Sequence, residues 1–313
     1  MAITMKEKIK SHHIIIALSV VAVAAIALDV FLMVRERPVL SPVNNQYPFL
    51  DPAQAMYNDA DLLVNMYPLA QELKGVTQGN PNIEIYFQYL NTGSDIRIGT
   101  TSLFPGSLMK VPIAMAVMKK IESGAWSMNT ILTLTDADKN ADYGTLYQLP
   151  SGTTFTVAVL LQDMLVQSDD TAREIFVRSV GDQNIEDVLN YLGLQDILNT
   201  SQQVTPQRYS NFWRALYSAG YLSADSSQEL LQIMAEPHDP NLLPAGMPSN
   251  TIFSHKMGVY NGTYSDSGIV YVSDRPYILT VMMVSSSTDE VNAIMKAISA
   301  DVYKYITTNN GPQ

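Results

Sequence analysis

Apolar positions change character several times along this chain. Ile14 to Val34 form a 21-residue largely apolar stretch with a single charge, Asp29, and with Lys6, Lys8 and Lys10 before it and Arg35 and Arg37 after it. That length matches a helix crossing a bilayer. Residues 35–52 hold four prolines and two asparagines and read as an extended spacer. Beyond it, a period near 3.6 predicts a helix over Ala53 to Lys74, and alternation predicts a hairpin, Ile83 to Leu90 with Asp95 to Gly99, turning at Asn91 to Ser94. A strongly apolar helix is expected from Ser107 to Glu122, stopped at Gly124, and shorter helical patterns fill Val157 to Glu236. Strand patterns return at Ile252 to Val259, Gly268 to Val272 and Tyr277 to Ser285. A closing helix over Asp289 to Thr307 places Val291, Ile294, Ile298 and Val302 on one face.

Strands at both ends with helices between them predict an α+β fold: an antiparallel sheet built from N- and C-terminal segments, flanked by helices, with an all-helical subdomain inserted in the middle. The expected organisation is a basic tail over 1–13, a membrane anchor over 14–34, a linker over 35–52 and a folded domain over 53–313. Ala25-Ile-Ala27 offers a signal-peptide cleavage site as the rival to an anchor. The apolar run resumes through Val30 to Val34, which favours the uncleaved anchor. Either way the folded domain is expected outside the cytoplasm.

Composition removes several function classes. There is no cysteine, hence no disulfide, thiolate nucleophile or cysteine metal site. The four histidines, His12, His13, His238 and His255, give no ligand spacing in the folded part, so no metal site and no histidine base is expected. Without residues 1–37 the chain keeps 14 basic and 27 acidic residues, a net charge of −13. Such a surface is a poor match for nucleic acid.

Three strings carry candidate chemistry. In Phe104-Pro-Gly-Ser107-Leu-Met-Lys110, Pro105 and Gly106 break the preceding structure, and Ser107 and Lys110 fall three apart on one helical face. A serine hydroxyl needs a base to become a nucleophile, and a lysine kept neutral by desolvation can serve. The bland alternative is a helix cap followed by a solvated lysine. The second string, Ser168-Asp169-Asp170, lies between two helical patterns and reads in isolation as an N-cap. The third, Lys256-Met257-Gly258-Val259, follows a strand-like approach, with a glycine that lets a substrate lie close to the backbone.

Together the strings resemble the serine β-lactamase and penicillin-binding protein superfamily, whose signatures are Ser-x-x-Lys, Ser-Asp-Asn and Lys-Thr-Gly in that order. The likeness to class A β-lactamases runs from about Ala53 to Thr307 and includes the Pro-Gly-Ser lead-in and the segment Val204-Thr205-Pro206. It implies Ser107 as the acylated nucleophile, Lys110 as its base and Ser168 as the proton shuttle to the leaving nitrogen. Asp170, Lys256, Gly258 and Val259 would bind substrate: Lys256 attracts its carboxylate, and the N–H groups of Ser107 and Val259 form the oxyanion hole. No cofactor is called for.

Three departures stand out. Asp170 replaces an amide by a group that only accepts when ionised. Met257 removes a hydroxyl that would bond the substrate carboxylate. The loop Leu192 to Val204 contains no Glu, and Asp196 is its one carboxylate. Acylation could then proceed while hydrolysis of the acyl-enzyme stalls. Three functions follow as alternatives: a slow β-lactamase-like hydrolase, a D-alanyl-D-alanine carboxypeptidase-like enzyme acting on peptidoglycan stem peptides, or a non-catalytic binder of peptidoglycan or protein. The expected partners are a β-lactam or stem peptide and the membrane.

Overall fold

The computed structural model describes residues 47–50, 65–77, 80–198, 202–236, 239–273 and 275–308. The expected anchor at 14–34, most of the linker and the first part of the helix expected from Ala53 lie outside these residues. Among the described residues no helix is long and apolar enough to cross a membrane.

Two strands open the sheet, β1 (Ile83–Tyr89) and β2 (Asp95–Ile98), preceded by helix α1 (Tyr67–Thr77). Three more close it, β5 (Ile252–Tyr260), β6 (Thr263–Tyr271) and β7 (Tyr277–Val284), followed by helix α9 (Thr288–Thr308). All five pair antiparallel in the order β2-β1-β7-β6-β5, so the chain's last strand lies against its first and β5 is outermost. Between the two halves sit α2 (Lys110–Glu122), α3 (Val157–Leu165), α4 (Asp170–Val180), α5 (Asp182–Tyr191), α6 (Pro206–Tyr209), α7 (Asn211–Tyr217) and α8 (Ala224–Met234). The inserted subdomain is helical apart from one short ribbon, β3 (Ile131–Thr133) with β4 (Thr154–Thr156), whose three-residue strands are too short to show a period.

Both faces of the sheet are covered, by different partners. Ile83, Ile85 and Phe87 of β1 and Leu279, Val281 and Met283 of β7 pack with Leu69 and Leu73 of α1 and Val291, Met295, Ile298 and Val302 of α9. Each such side chain contributes about 1.5–3 kcal/mol on burial, which is why the terminal helix is amphipathic. On the other face Tyr86, Ile269, Ile278 and Met282 join the core of the helical subdomain, with α2 buried along its first nine residues. Trp213, fully buried, donates its indole N–H to Ser267 Oγ at 2.7 Å and so bolts α7 to β6.

β6 is longer than its sequence predicts. The expected strand began at Gly268, because Thr263-Tyr-Ser-Asp-Ser reads as polar loop. Ser265, Asp266 and Ser267 are in fact buried within the strand. Asp266 is satisfied there by His255 Nδ1 at 2.8 Å and by the N–H of Leu243 at 3.2 Å, as burial of a carboxylate demands.

Candidate active site

The chain reaches Ser107 through a tight turn. Gly106 has φ +60, a left-handed conformation, and residues Gly106–Met109 wind as a 3-10 turn that runs directly into α2. Tyr209, buried in α6, donates its hydroxyl to Leu108 O at 2.8 Å and holds this turn from behind. The Ser107 hydroxyl makes no capping bond to the helix, which removes the bland reading of this serine. Lys110 opens α2 and is 1% exposed, so it is not the solvated lysine of the alternative either. Its Nζ lies 3.1 Å from Ser107 Oγ.

The second string meets the same nitrogen. Asp169, not Ser168, is the N-cap of α4: its carboxylate accepts from Ala172 N at 2.9 Å, and also from Thr145 N at 2.7 Å and Leu146 N at 3.0 Å in the preceding loop. Ser168, freed from capping, is held at φ 55. That left-handed backbone, uncommon outside glycine, turns both its carbonyl and its hydroxyl to Lys110. Nζ donates to Ser168 O in a very short contact and lies 3.1 Å from Ser168 Oγ. Asp170 completes the shell with Oδ1 at 2.8 Å from Nζ. Its side chain is thus bound to Lys110 as well as facing the cavity, a pairing across sixty residues that no spacing could reveal.

The third string enters from the sheet. Lys256 is fully buried on β5, and its Nζ donates to Ser168 Oγ at 3.0 Å and to Met257 O at 3.1 Å. One hydroxyl therefore bridges two lysines. Burial pushes the Lys110 pKa down, helped by the Arg173 cation and opposed by Asp170. Burial, then the charge of Lys110, pushes Lys256 down to about 7, against the pull of Asp266 and Asp170. A neutral Lys110 has two N–H groups, which suit the acceptor-only Ser168 carbonyl and Asp170 carboxylate. Its lone pair is then left for the hydroxyl of Ser107.

Gly258 is required by the protein itself as well as by any substrate. A Cβ there would stand 2.7 Å from Pro105 O and 2.8 Å from Ser107 N, so β5 can approach the Ser107 turn only without a side chain. Val259 follows, with its N–H beside Gly106. All seven residues singled out from the sequence, Ser107, Lys110, Ser168, Asp170, Lys256, Gly258 and Val259, line one cavity of about 980 Å³. Phe104 and Tyr260 close its rim, with ring centroids 4.4 Å apart, a pair with no sequence signature. Asp196 is elsewhere: 57% exposed, it is bound to Arg208, with Nη1 at 2.7 Å from Oδ2, and does not line the cavity. Among the described residues, no group of three His, Cys, Asp or Glu side chains could hold a metal ion.

A five-stranded antiparallel sheet with a helical insertion, and a half-buried serine beside a buried lysine where the two meet, define the class of serine hydrolases to which the β-lactamases belong. The chain belongs to the beta-lactamase enzyme family, whose model it matches over residues 68–306. It is 25% identical over 259 residues to Beta-lactamase VEB-1 of Pseudomonas aeruginosa, covering 74% of this chain and 85% of that protein. Its fold is similar to that of a PBP-A variant solved as the acyl-enzyme complex with penicillin-G, with TM-score 0.70, 21% identity, and 77% and 97% of the two chains covered. It is equally similar to a beta-lactamase from Sphaerobacter thermophilus, with TM-score 0.70, 19% identity, and 80% and 100% covered.

Proposed function

We propose that Ser107 is acylated by β-lactams and that the acyl-enzyme is released slowly. The observation that carries this is the continuous contact from Ser107 Oγ through Lys110 Nζ and Ser168 Oγ to Lys256 Nζ, each step 3.0 to 3.1 Å. Neutral Lys110 takes the Ser107 proton as Oγ attacks the carbonyl carbon. The oxyanion falls between the N–H groups of Ser107 and Val259. Ser168 passes its proton to the leaving nitrogen and is resupplied from the lysines, and the C–N bond breaks to leave an ester on Ser107. Lys256, in its charged form, attracts the substrate carboxylate.

Hydrolysis of that ester needs a base for water. In the loop Leu192 to Val204 the one carboxylate, Asp196, is engaged by Arg208 outside the cavity, which supports slow release. The same observation favours a second reading, a carboxypeptidase-like enzyme acting on the D-Ala-D-Ala end of peptidoglycan stem peptides. The apolar stretch 14–34 would anchor either enzyme with its domain outside the cytoplasm, which protease accessibility in intact cells tests.

A fluorescent penicillin distinguishes the readings. Stable labelling lost in Ser107→Ala supports the slow acyl-enzyme, and rapid release supports efficient β-lactam hydrolysis. Labelling unaffected by Ser107→Ala, or absent at any concentration, overturns the assignment and leaves the non-catalytic binder.

A further inference from the structure

Building on the acyl-transfer reading, we propose that Asp170 makes the cavity selective for zwitterionic acyl donors, which carry an ammonium on the acyl side chain opposite the substrate carboxylate. Asp170 is the first residue of α4, lines the cavity and keeps 16% of its side chain exposed. Where the resemblance leads one to expect an amide, able to donate to a substrate carbonyl, the site presents a group that only accepts. A neutral acylamide substrate meets lone pairs there, and an ammonium meets a charge-assisted partner.

Among the described residues, five carboxylates line the cavity against three cations, Lys110, Arg173 and Lys256. Lys110, at 2.8 Å from Oδ1, must be neutral when it acts as the base, and in that state it adds no positive charge beside Asp170. Arg173 Nε forms an ion pair with Asp170 at 3.7 Å, and its Nη2 is engaged in turn by Glu174. A second carboxylate, Asp142, lines the same side of the cavity on a loop fixed to α4 by the Asp170 N–H, which donates to Tyr143 O at 2.9 Å. Lys256 lines the same cavity and supplies the cation for the substrate carboxylate. The cavity thus offers an ammonium to a carboxylate of the ligand and carboxylates to its ammonium.

Ampicillin and benzylpenicillin test this directly, because they differ only by an amine beside the side-chain amide, and N-acetylampicillin keeps the bulk of the first without its charge. Second-order acylation of the intact protein is followed by mass spectrometry below neutral pH, where the amine is protonated. Ampicillin should react about tenfold faster than either of the other two, a gain expected of one charge-assisted contact. In Asp170→Asn the ratio should fall to about one. Equal rates for the three compounds in the wild-type protein, or a ratio that survives in Asp170→Asn, overturns the inference and leaves the acyl-transfer reading intact. No adduct with any of the three overturns both. Should Asp170→Asn fail to fold, the wild-type ratio of ampicillin to N-acetylampicillin decides.

Discussion

Replacing Lys256 by methionine should stabilise the protein in acid and neutral solution while impairing acylation. Methionine keeps the unbranched apolar stem and removes a fully buried cation. Burial, then the charge of Lys110, brings the Lys256 pKa from an ordinary 10.5 to about 7, and each tenfold change in a protonation equilibrium is about 1.4 kcal/mol. Below pH 7 the amine is charged in the folded and unfolded chains alike, and the folded one bears a cost of about 5 kcal/mol. Against this, the variant loses the hydrogen bonds to Ser168 Oγ and Met257 O, each about 1 kcal/mol.

The net advantage is then roughly 2–3 kcal/mol at pH 6. Between 7 and 10.5 the unfolded chain holds the proton that the folded chain has released, so wild-type stability climbs with pH through this window and the advantage shrinks. By about pH 9 it should be near zero. Urea unfolding of both proteins at the two pH values measures it, with acylation of Ser107 measured alongside. A variant less stable than wild type at pH 6, or equally favoured at both pH values, would refute the argument that this lysine is retained for chemistry at the expense of stability.

Gly258→Ala should cost about 1–3 kcal/mol from the overlap with Pro105 O and Ser107 N, and should slow penicillin labelling by shifting β5 off the nucleophile turn; a thermal melt and a labelling time course would show both. Asp169→Ala removes three accepted backbone N–H bonds and should destabilise by about 2–4 kcal/mol in chemical denaturation, with labelling lost as Ser168 leaves its position. Asp196→Asn should leave the deacylation rate within about twofold of wild type, since its carboxylate serves Arg208 outside the cavity; a large fall in a chase experiment would restore it as the hydrolytic base.

Much of this site was legible because its parts are local. Ser107 and Lys110 share a helical turn, and the apolar run after them announced a buried lysine. The hairpin and the amphipathic α9 follow period alone. Other features depend on pairings between distant segments. β6 begins five residues before the expected strand because partners on β5, on α7 and at Leu243 satisfy Asp266 and Ser267. Its polar positions therefore sit in a core that a hydropathy pattern cannot anticipate. Asp170 reads as an N-cap companion until the fold brings Lys110 to it, and Asp196 reads as the loop's one carboxylate until Arg208 claims it.

The outermost strand of the sheet, β5, has no strand beyond it, yet its middle is not open to solvent. The nucleophile turn packs against it at Gly258, and Lys256 is sealed beneath. Towards the strand's ends, Ile252, Val259 and Tyr260 are exposed. The turn that carries Ser107 therefore also shields a strand edge that could pair with another molecule. Substitutions that loosen it should betray themselves first as self-association and low soluble yield, so inactive variants in this segment call for a check of monomeric state before their loss is attributed to chemistry.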